Sequence, residues 1–368
     1  MERKLSEFQV FAMLALMLLA KTFYSYIKVL CGQAGPAAWQ LALVSLVVAG
    51  GFLWILGLLL ERFPGVGLAE ILQRTFGPVL GRIAGLLLVA HGVYYCGINL
   101  REGAELLRSY QLGNTNVQMI LLALLLTMLV LVRGGVTCVA RVSAACLWVV
   151  LGGLGVILLM SIPQYELVNL LPVWGRGAQA TLSGGLWGSS ALDELLMLLV
   201  VADCMQHPAA ARRAGWKALL VAGGLLALST LCYCLAFPYN ISQLHMSPVL
   251  EMVRRIYFNR FFERFEAIFL FIFILSLVLD VAAYACLTVR LYGRMFSIRR
   301  TTVMALPFFF LIFTVALAPR SFTTLLNVHL NILRHYSIVW QMGIPLVALV
   351  VAVLRGKKGG TSDEKQMG

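Results

Sequence analysis

Acidic residues are scarce in this chain: 16 Asp and Glu stand against 29 Lys and Arg, charged residues make up 12% of the total, and 5 histidines occur in 368 residues. So little charge excludes a water-soluble domain of this size, because 61% of the residues are hydrophobic and the mean hydropathy is +0.89. No CxxC pair or Cys/His ligand spacing occurs among the 8 cysteines, so no metal site is expected and they read as small apolar packing residues. There is no Walker motif and no recognisable Ser/His/Asp pattern. The chain therefore reads as a non-enzyme without a cofactor. No small-residue cleavage site follows the first apolar run, which is too long for a signal peptide. The net charge of +13 comes with no compact basic domain, so anionic lipid and not nucleic acid is the expected counterpart.

What the chain has in abundance is apolar runs near the ~20 residues that cross a bilayer. Ten spans are expected: Phe8–Leu30, Trp39–Leu60, Leu80–Leu100, Val117–Val132, Val136–Ile162, Leu182–Met205, Trp216–Phe237, Phe265–Leu291, Val303–Ala318 and Ile338–Leu354. This describes a single all-α polytopic membrane domain over residues 1–368, with a short tail at 355–368. Arg62, Arg74 and Arg82, Arg133 and Arg141, Arg212, Arg213 and Lys217, Arg290, Arg294, Arg299 and Arg300, and Arg355, Lys357, Lys358 and Lys365 fall on the side of the N-terminus. Arg101, Arg108, Arg176, Arg254, Arg255, Arg260, Arg264, Arg320 and Arg334 fall on the other. The excess on the first side places both termini in the cytoplasm.

Ten spans divide into two sets of five, and an odd number of crossings leaves the second set inverted relative to the first. Such inverted repeats, here about 8–162 and 182–354, commonly break the first helix of each half around a substrate site at the midplane. Polar residues sit where that arrangement asks for them. Span one carries Lys21, Thr22, Tyr24 and Lys28, although an ionisable group at membrane depth costs about 2.5–3.5 kcal/mol on insertion scales. Span six carries Ser189, Ser190, Asp193 and Glu194 after Gly184, Gly185 and Gly188.

In span three His91, Tyr95, Asn99 and Glu102 share one helical face, which either glues the bundle or lines a cavity. Span eight carries Asp280, one turn from Ser276 and one from Tyr284. Lys21 is open to two readings: a structural ion pair with Glu194, Asp193 or Asp280, or a direct contact with ligand or proton. Lys28 is expected to snorkel, Asp203 to pair near Arg212 and Arg213, Glu266 to pair with Arg264 or to favour the helix N-terminus, and Gly81 and Gly85 to permit close helix packing.

Several segments, in order and spacing, carry a resemblance. They are Ser6-Glu7-Phe8-Gln9-Val10-Phe11-Ala12, Gly32-Gln33-Ala34-Gly35 through Ala38-Trp39, Glu61-Arg62-Phe63-Pro64 leading to Leu68-Ala69-Glu70-Ile71-Leu72, Asn169-Leu170-Leu171-Pro172-Val173, Phe262-Glu263-Arg264-Phe265-Glu266-Ala267-Ile268-Phe269 and Leu333-Arg334-His335-Tyr336. Over nearly its whole length the chain resembles the B subunits of bacterial spore germinant receptors (GerAB-type), of the amino acid, polyamine and organocation transporter superfamily.

The resemblance implies a LeuT-like fold with helices one and six interrupted, residence in the spore inner membrane, A-type and C-type partner subunits, and a small-molecule germinant, often an amino acid. It places the ligand near Lys21, Thr22, Phe23 and Tyr24, Tyr95 and Asn99, Leu192, Asp193 and Glu194, and Ser276 and Asp280. The half-helix end of span one would orient the ligand carboxylate. Family members usually have small residues where this chain has Lys21-Thr22-Phe23-Tyr24, and an aromatic-Gly-Glu sequence where it has Leu192-Asp193-Glu194. A proton-coupled amino-acid transporter and a channel for ions or small metabolites are the competing readings.

Overall fold

A helix apolar on every side belongs inside a bundle, and the first helix, α1 (Glu7–Ala20), is of that kind. A capping box starts it: Gln9 N donates to Ser6 Oγ at 3.2 Å and Ser6 N donates to Gln9 Oε1 at 3.1 Å. Every residue from Ala12 to Ala20 is buried. The computed structural model describes residues 4–205, 207–256, 265–298, 301–328 and 334–357. Arg3, Arg260, Arg264, Arg299, Arg300, Leu333, Lys358 and Lys365, the segment Phe262-Glu263-Arg264 and the tail from residue 358 lie outside them.

The chain leaves helical conformation at 21–25 and resumes in α2 (Tyr26–Ala34), which Gly35 stops with a φ of 63°. There follow α3 (Ala38–Arg62), α4 (Leu68–Phe76), α5 (Pro78–Tyr110), α6 (Val117–Arg133), α7 (Gly135–Met160) and α8 (Ala178–Gly188). A 3₁₀ segment, Ser189–Leu196, joins α8 to α9 (Met197–Val201), and non-helical backbone at Leu192 (φ −105°, ψ 32°) breaks it. Next come α10 (Pro208–Ala218), α11 (Gly224–Ala236), α12 (Tyr239–Ser242), α13 (Pro248–Arg254), α14 (Phe265–Met295), α15 (Thr301–Leu317), α16 (Phe322–Thr324) and α17 (Arg334–Leu354). The interruptions expected in the first and sixth spans are thus both present.

Among the described residues seven helices are long and apolar enough to cross a membrane. There are eight if Thr301–Leu317 and Phe322–Val328, bent by 103°, form one span. That is fewer than the ten expected. The break at 21–25 leaves α1 with 14 residues, and α6 has 17, so neither spans by length alone.

Helices α1, α5, α7 and α14 pack together at the centre. Gly81 and Gly85 allow close approach on α5: a Cβ on Gly81 would meet the backbone of Gln73 at 2.7 Å, and one on Gly85 would collide with Met295. The outer helices carry large exposed apolar side chains, including Val47 and Trp54 on α3, Val130 on α6, Phe310 on α15 and Val353 on α17. An apolar surface of that kind needs lipid.

Basic residues gather with the two ends of the described chain. Leu5 N donates to the Cys204 carbonyl, Arg62 binds the carbonyls of Ala352 and Lys357, and Lys357 Nζ donates to the Arg74 carbonyl at 2.6 Å. Glu7 pairs with Arg213 and Lys217, and Asp203 pairs with Arg290 and Arg294 instead of the expected Arg212 and Arg213. The nearness of Arg212 and Arg213 in sequence loses to the helical reach of α14.

Candidate functional site

The two breaks face each other, and a buried charge network joins them. Lys21 Nζ lies 2.5 Å from Glu194 Oε1 and 3.2 Å from Asp193 Oδ1, with the lysine wholly buried. Desolvating that ammonium is offset only by good geometry to its partners, which two carboxylates supply. From α5, Tyr95 Oη is 2.6 Å from Glu194 Oε1 and 3.1 Å from Asp280 Oδ1 on α14. Its ring stacks on Tyr284 at 4.0 Å and lies 5.6 Å from Lys21 Nζ.

Asp193 is surrounded by hydrogen-bonding groups. Beyond Lys21, its Oδ2 has Tyr284 Oη at 3.2 Å, Gln341 Nε2 at 2.7 Å and His91 Nε2 at 3.1 Å. Such a shell suits an ionised carboxylate. Tyr24 Oη reaches Asp280 Oδ2 at 3.5 Å, and Phe23 packs its ring against Phe269.

Charge does not balance within this group. One ammonium faces Asp193, Glu194 and Asp280, and full ionisation would leave uncompensated negative charge at membrane depth. Protons or a bound cation close that balance. Tyr95 makes the point in atoms: a phenol has one hydrogen to donate, so its contacts with both Glu194 and Asp280 are satisfied together when one of those carboxyls carries a proton.

The face of α5 named from spacing points inward along its length: His91 to Asp193, Tyr95 to Glu194 and Asp280, and Glu102 to Ser25. Ser25 N donates to Glu102 Oε1 at 2.8 Å, and Ser25 Oγ donates to the same oxygen. Glu102 therefore occupies the start of α2, the half-helix end expected to hold a ligand carboxylate, where an acid is electrostatically favoured.

The remaining expected site residues are buried too. Thr22 Oγ1, Asn99 Nδ2, Ser276 Oγ and Glu194 Oε2 have no hydrogen-bond partner among the described residues. Leu192 contributes its backbone break and a buried side chain.

Three participants had no place among the expected site residues. Tyr284 reads as a core aromatic, and Gln341 is an uncharged amide in an otherwise apolar segment, although its polarity there is a signal in itself. Ser25 stands beside the Lys21–Tyr24 run without a charge to mark it. Lys28 is half-buried with Nζ 3.5 Å from the Leu244 carbonyl, and Glu266 pairs with Arg254, its expected partner Arg264 lying outside the described residues.

The chain is 20% identical over 333 residues to spore germination protein KB of Bacillus subtilis (strain 168), covering 89% of each. It is 25% identical over 175 residues to spore germination protein A2 of the same strain, covering 47% of this chain and 48% of the relative. Among solved structures it is similar to Mhp1, a nucleobase-cation-symport-1 family transporter in a closed conformation with bromovinylhydantoin bound (TM-score 0.69, 12% identity, 97% of this chain and 80% of that one). It is also similar to MhsT in complex with L-phenylalanine (TM-score 0.66, 14% identity, 96% and 89%). At these identities the structures establish the fold, a LeuT-like transporter fold with interrupted helices. The model of the spore permease family, described as spore germination protein, matches residues 4–323, and the chain belongs to that family as a multi-pass, transporter-like membrane protein.

Proposed function

We propose that this protein is the nutrient-sensing membrane subunit of a spore germinant receptor. It binds a small zwitterion, an amino acid, between the breaks of the first and sixth spans and the facing surfaces of α5 and α14. The observation that carries this reading is the Lys21–Asp193–Glu194–Asp280 network, in which an ammonium is already held against buried carboxylates. An amino acid can replace it bond for bond: its ammonium takes the place of Lys21 at Glu194, and the released Lys21 takes its carboxylate. The exchange leaves net charge unchanged, which a buried site requires. The unpartnered atoms of Thr22, Asn99, Ser276 and Glu194 supply further polar contacts.

In this reading the two halves, about 8–162 and 182–354, are inverted repeats and the end that gathers the termini is cytoplasmic. The membrane is the spore inner membrane, and ligand binding shifts a transporter-like equilibrium that A-type and C-type subunits receive. Titrating amino acids into the purified protein, alone and with those subunits, tests it. Binding should fall at least tenfold in Lys21→Ala and in Glu194→Ala, and specific binding that survives both changes would sink the assignment.

A second reading, proton-coupled amino-acid transport, is favoured by one observation: the single phenolic hydrogen of Tyr95 between Glu194 and Asp280. Uptake into liposomes driven by a pH gradient, without partner subunits, supports transport. Binding without flux supports the sensor.

A further inference from the structure

The end of the bundle opposite the termini carries a second charged site that the central network does not use. A cavity of about 500 Å³ there is lined by Arg101, Glu105, Arg108, Arg320, Ser321 and Phe322, among others. Its charge is the reverse of the mid-bundle site, with three guanidiniums against one carboxylate.

Arg101 is 8% exposed and held in place: Nε donates to Glu105 Oε1 at 3.1 Å and Nη1 to the Ala316 carbonyl at 3.3 Å. Arg108 approaches the same acid only to 3.8 Å. Arg320, in the bend between α15 and α16, makes no hydrogen bond or ion pair among the described residues. Phe322 is fixed by packing with Ile98 and Leu325. Glu105 is thus committed to Arg101, and the charges of Arg108 and Arg320 are left without a full partner in one concavity. Like charges held together in that way concentrate counter-ions, and guanidiniums select planar or tetrahedral oxyanions through paired N–H donors.

We propose that this cavity binds an oxyanion, a carboxylate or phosphate group, through Arg108 and Arg320, with Arg101 as buried positive background. The group belongs either to a small soluble anion or to the headgroup of an acidic lipid. The assignment is independent of the zwitterion site, since it uses none of the same side chains.

Thermal unfolding of the purified full-length protein in detergent tests it, with sodium phosphate or sodium succinate titrated against sodium chloride at matched ionic strength. A saturable rise in Tm beyond the chloride control is expected. Its midpoint should weaken at least tenfold in Arg320→Gln and Arg108→Gln, tighten in Glu105→Gln, and stay put in Arg294→Gln at the other end of the bundle. Arg320→Lys, which keeps the charge but loses the fork, should fall between wild type and Arg320→Gln.

A parallel arm in nanodiscs compares phosphatidylcholine alone with phosphatidylcholine containing phosphatidylglycerol. A gain confined to the acidic lipid and lost in Arg320→Gln identifies a headgroup as the occupant; a gain with soluble anions identifies a free ligand. No gain from either source, or a gain unchanged in Arg320→Gln, overturns the proposal.

Discussion

At mid-bundle one ammonium, Lys21, serves three carboxylates, and none of the four residues is more than 3% exposed. At the end that gathers the termini one carboxylate, Asp203, serves two guanidiniums, and the side chain of Arg294 is 60% exposed. Both groups tie separate helices together, but only the second can settle its imbalance with water and salt. The first has to settle it with protons, with a ligand, or by keeping Lys21 where it is. A site that stores its imbalance out of reach of solvent is poised to respond to a molecule that brings charge with it, whereas a rim cluster of the Asp203 kind ties helices together under the screening of salt.

Removing the ammonium should therefore separate the two regions most sharply. Lys21→Met leaves the carboxylates of Asp193 and Glu194 without their cation, and breaking a buried pair in this way costs about 3–5 kcal/mol. Thermal unfolding should show a larger fall in Tm than any single substitution in the Asp203 cluster produces. Adding Glu194→Gln to Lys21→Met should recover part of it, because the double variant removes both members of the closest pair. If Lys21→Met unfolds no earlier than wild type, the mid-bundle group is not the strained one.

The next effect is on binding more than on stability. Glu194→Gln keeps the shape of the side chain and lowers the negative excess, so the protein should stay folded. It also removes the negative charge that the proposed site offers to a ligand ammonium, and under that proposal amino-acid affinity should fall at least tenfold, about 1.4 kcal/mol. Calorimetry on the folded variant checks this, and undiminished affinity would move the ammonium site elsewhere.

Asp203→Asn comes third. It weakens charge-assisted contacts from Arg290 at 3.1 Å and from Arg294 at 2.5 and 3.0 Å. Hydrogen bonds to charged groups contribute about 1.5–3 kcal/mol, and the exposed half of this cluster puts it at the lower end. The loss should shrink as sodium chloride is raised in the unfolding buffer, while the loss in Lys21→Met should not. Equal salt dependence in the two variants would erase the distinction between the regions.

The same contrast explains which parts of the molecule were legible in its sequence. Lys21, Asp193, Glu194 and Asp280 could be found because charge in an apolar segment is conspicuous, and the helical spacing of His91, Tyr95 and Glu102 pointed to one face. The division of the spans into two sets of five pointed to breaks in helices one and six, and the resemblance implied the same. Tyr284 escaped because an aromatic costs little inside a bundle, and Gln341 because an uncharged amide in an apolar segment is less conspicuous than a charge, yet both bind Asp193. Partner choice escaped as well. Asp203 has Arg212 and Arg213 nine and ten positions away, but the side chains that reach it come from α14, and only the packing of helices decides that. The number of spans is where sequence and structure part, because a break divides an apolar run at 21–25: hydropathy registers the run and not the turn inside it.

The smallest expected effect marks the outer limit of the comparison. Glu7, at the start of α1, pairs with Lys217 at 2.6 Å and Arg213 at 2.9 Å, and these two cations hold its carboxyl below the ordinary carboxylate value. A depressed acid adds stability above its unfolded value, near pH 4.5, and loses it as pH falls through the lower folded value. Because Lys217 and Arg213 are largely in water, the contribution stays within about 0.2–1 kcal/mol. Glu7→Gln should thus lower Tm slightly at pH 7, and the difference from wild type should vanish at strongly acidic pH and at high salt. A Glu7→Gln loss as large as that of Asp203→Asn would mean that the termini end of the bundle is as shielded from solvent as its centre, and that burial is not what sets the two charge groups apart.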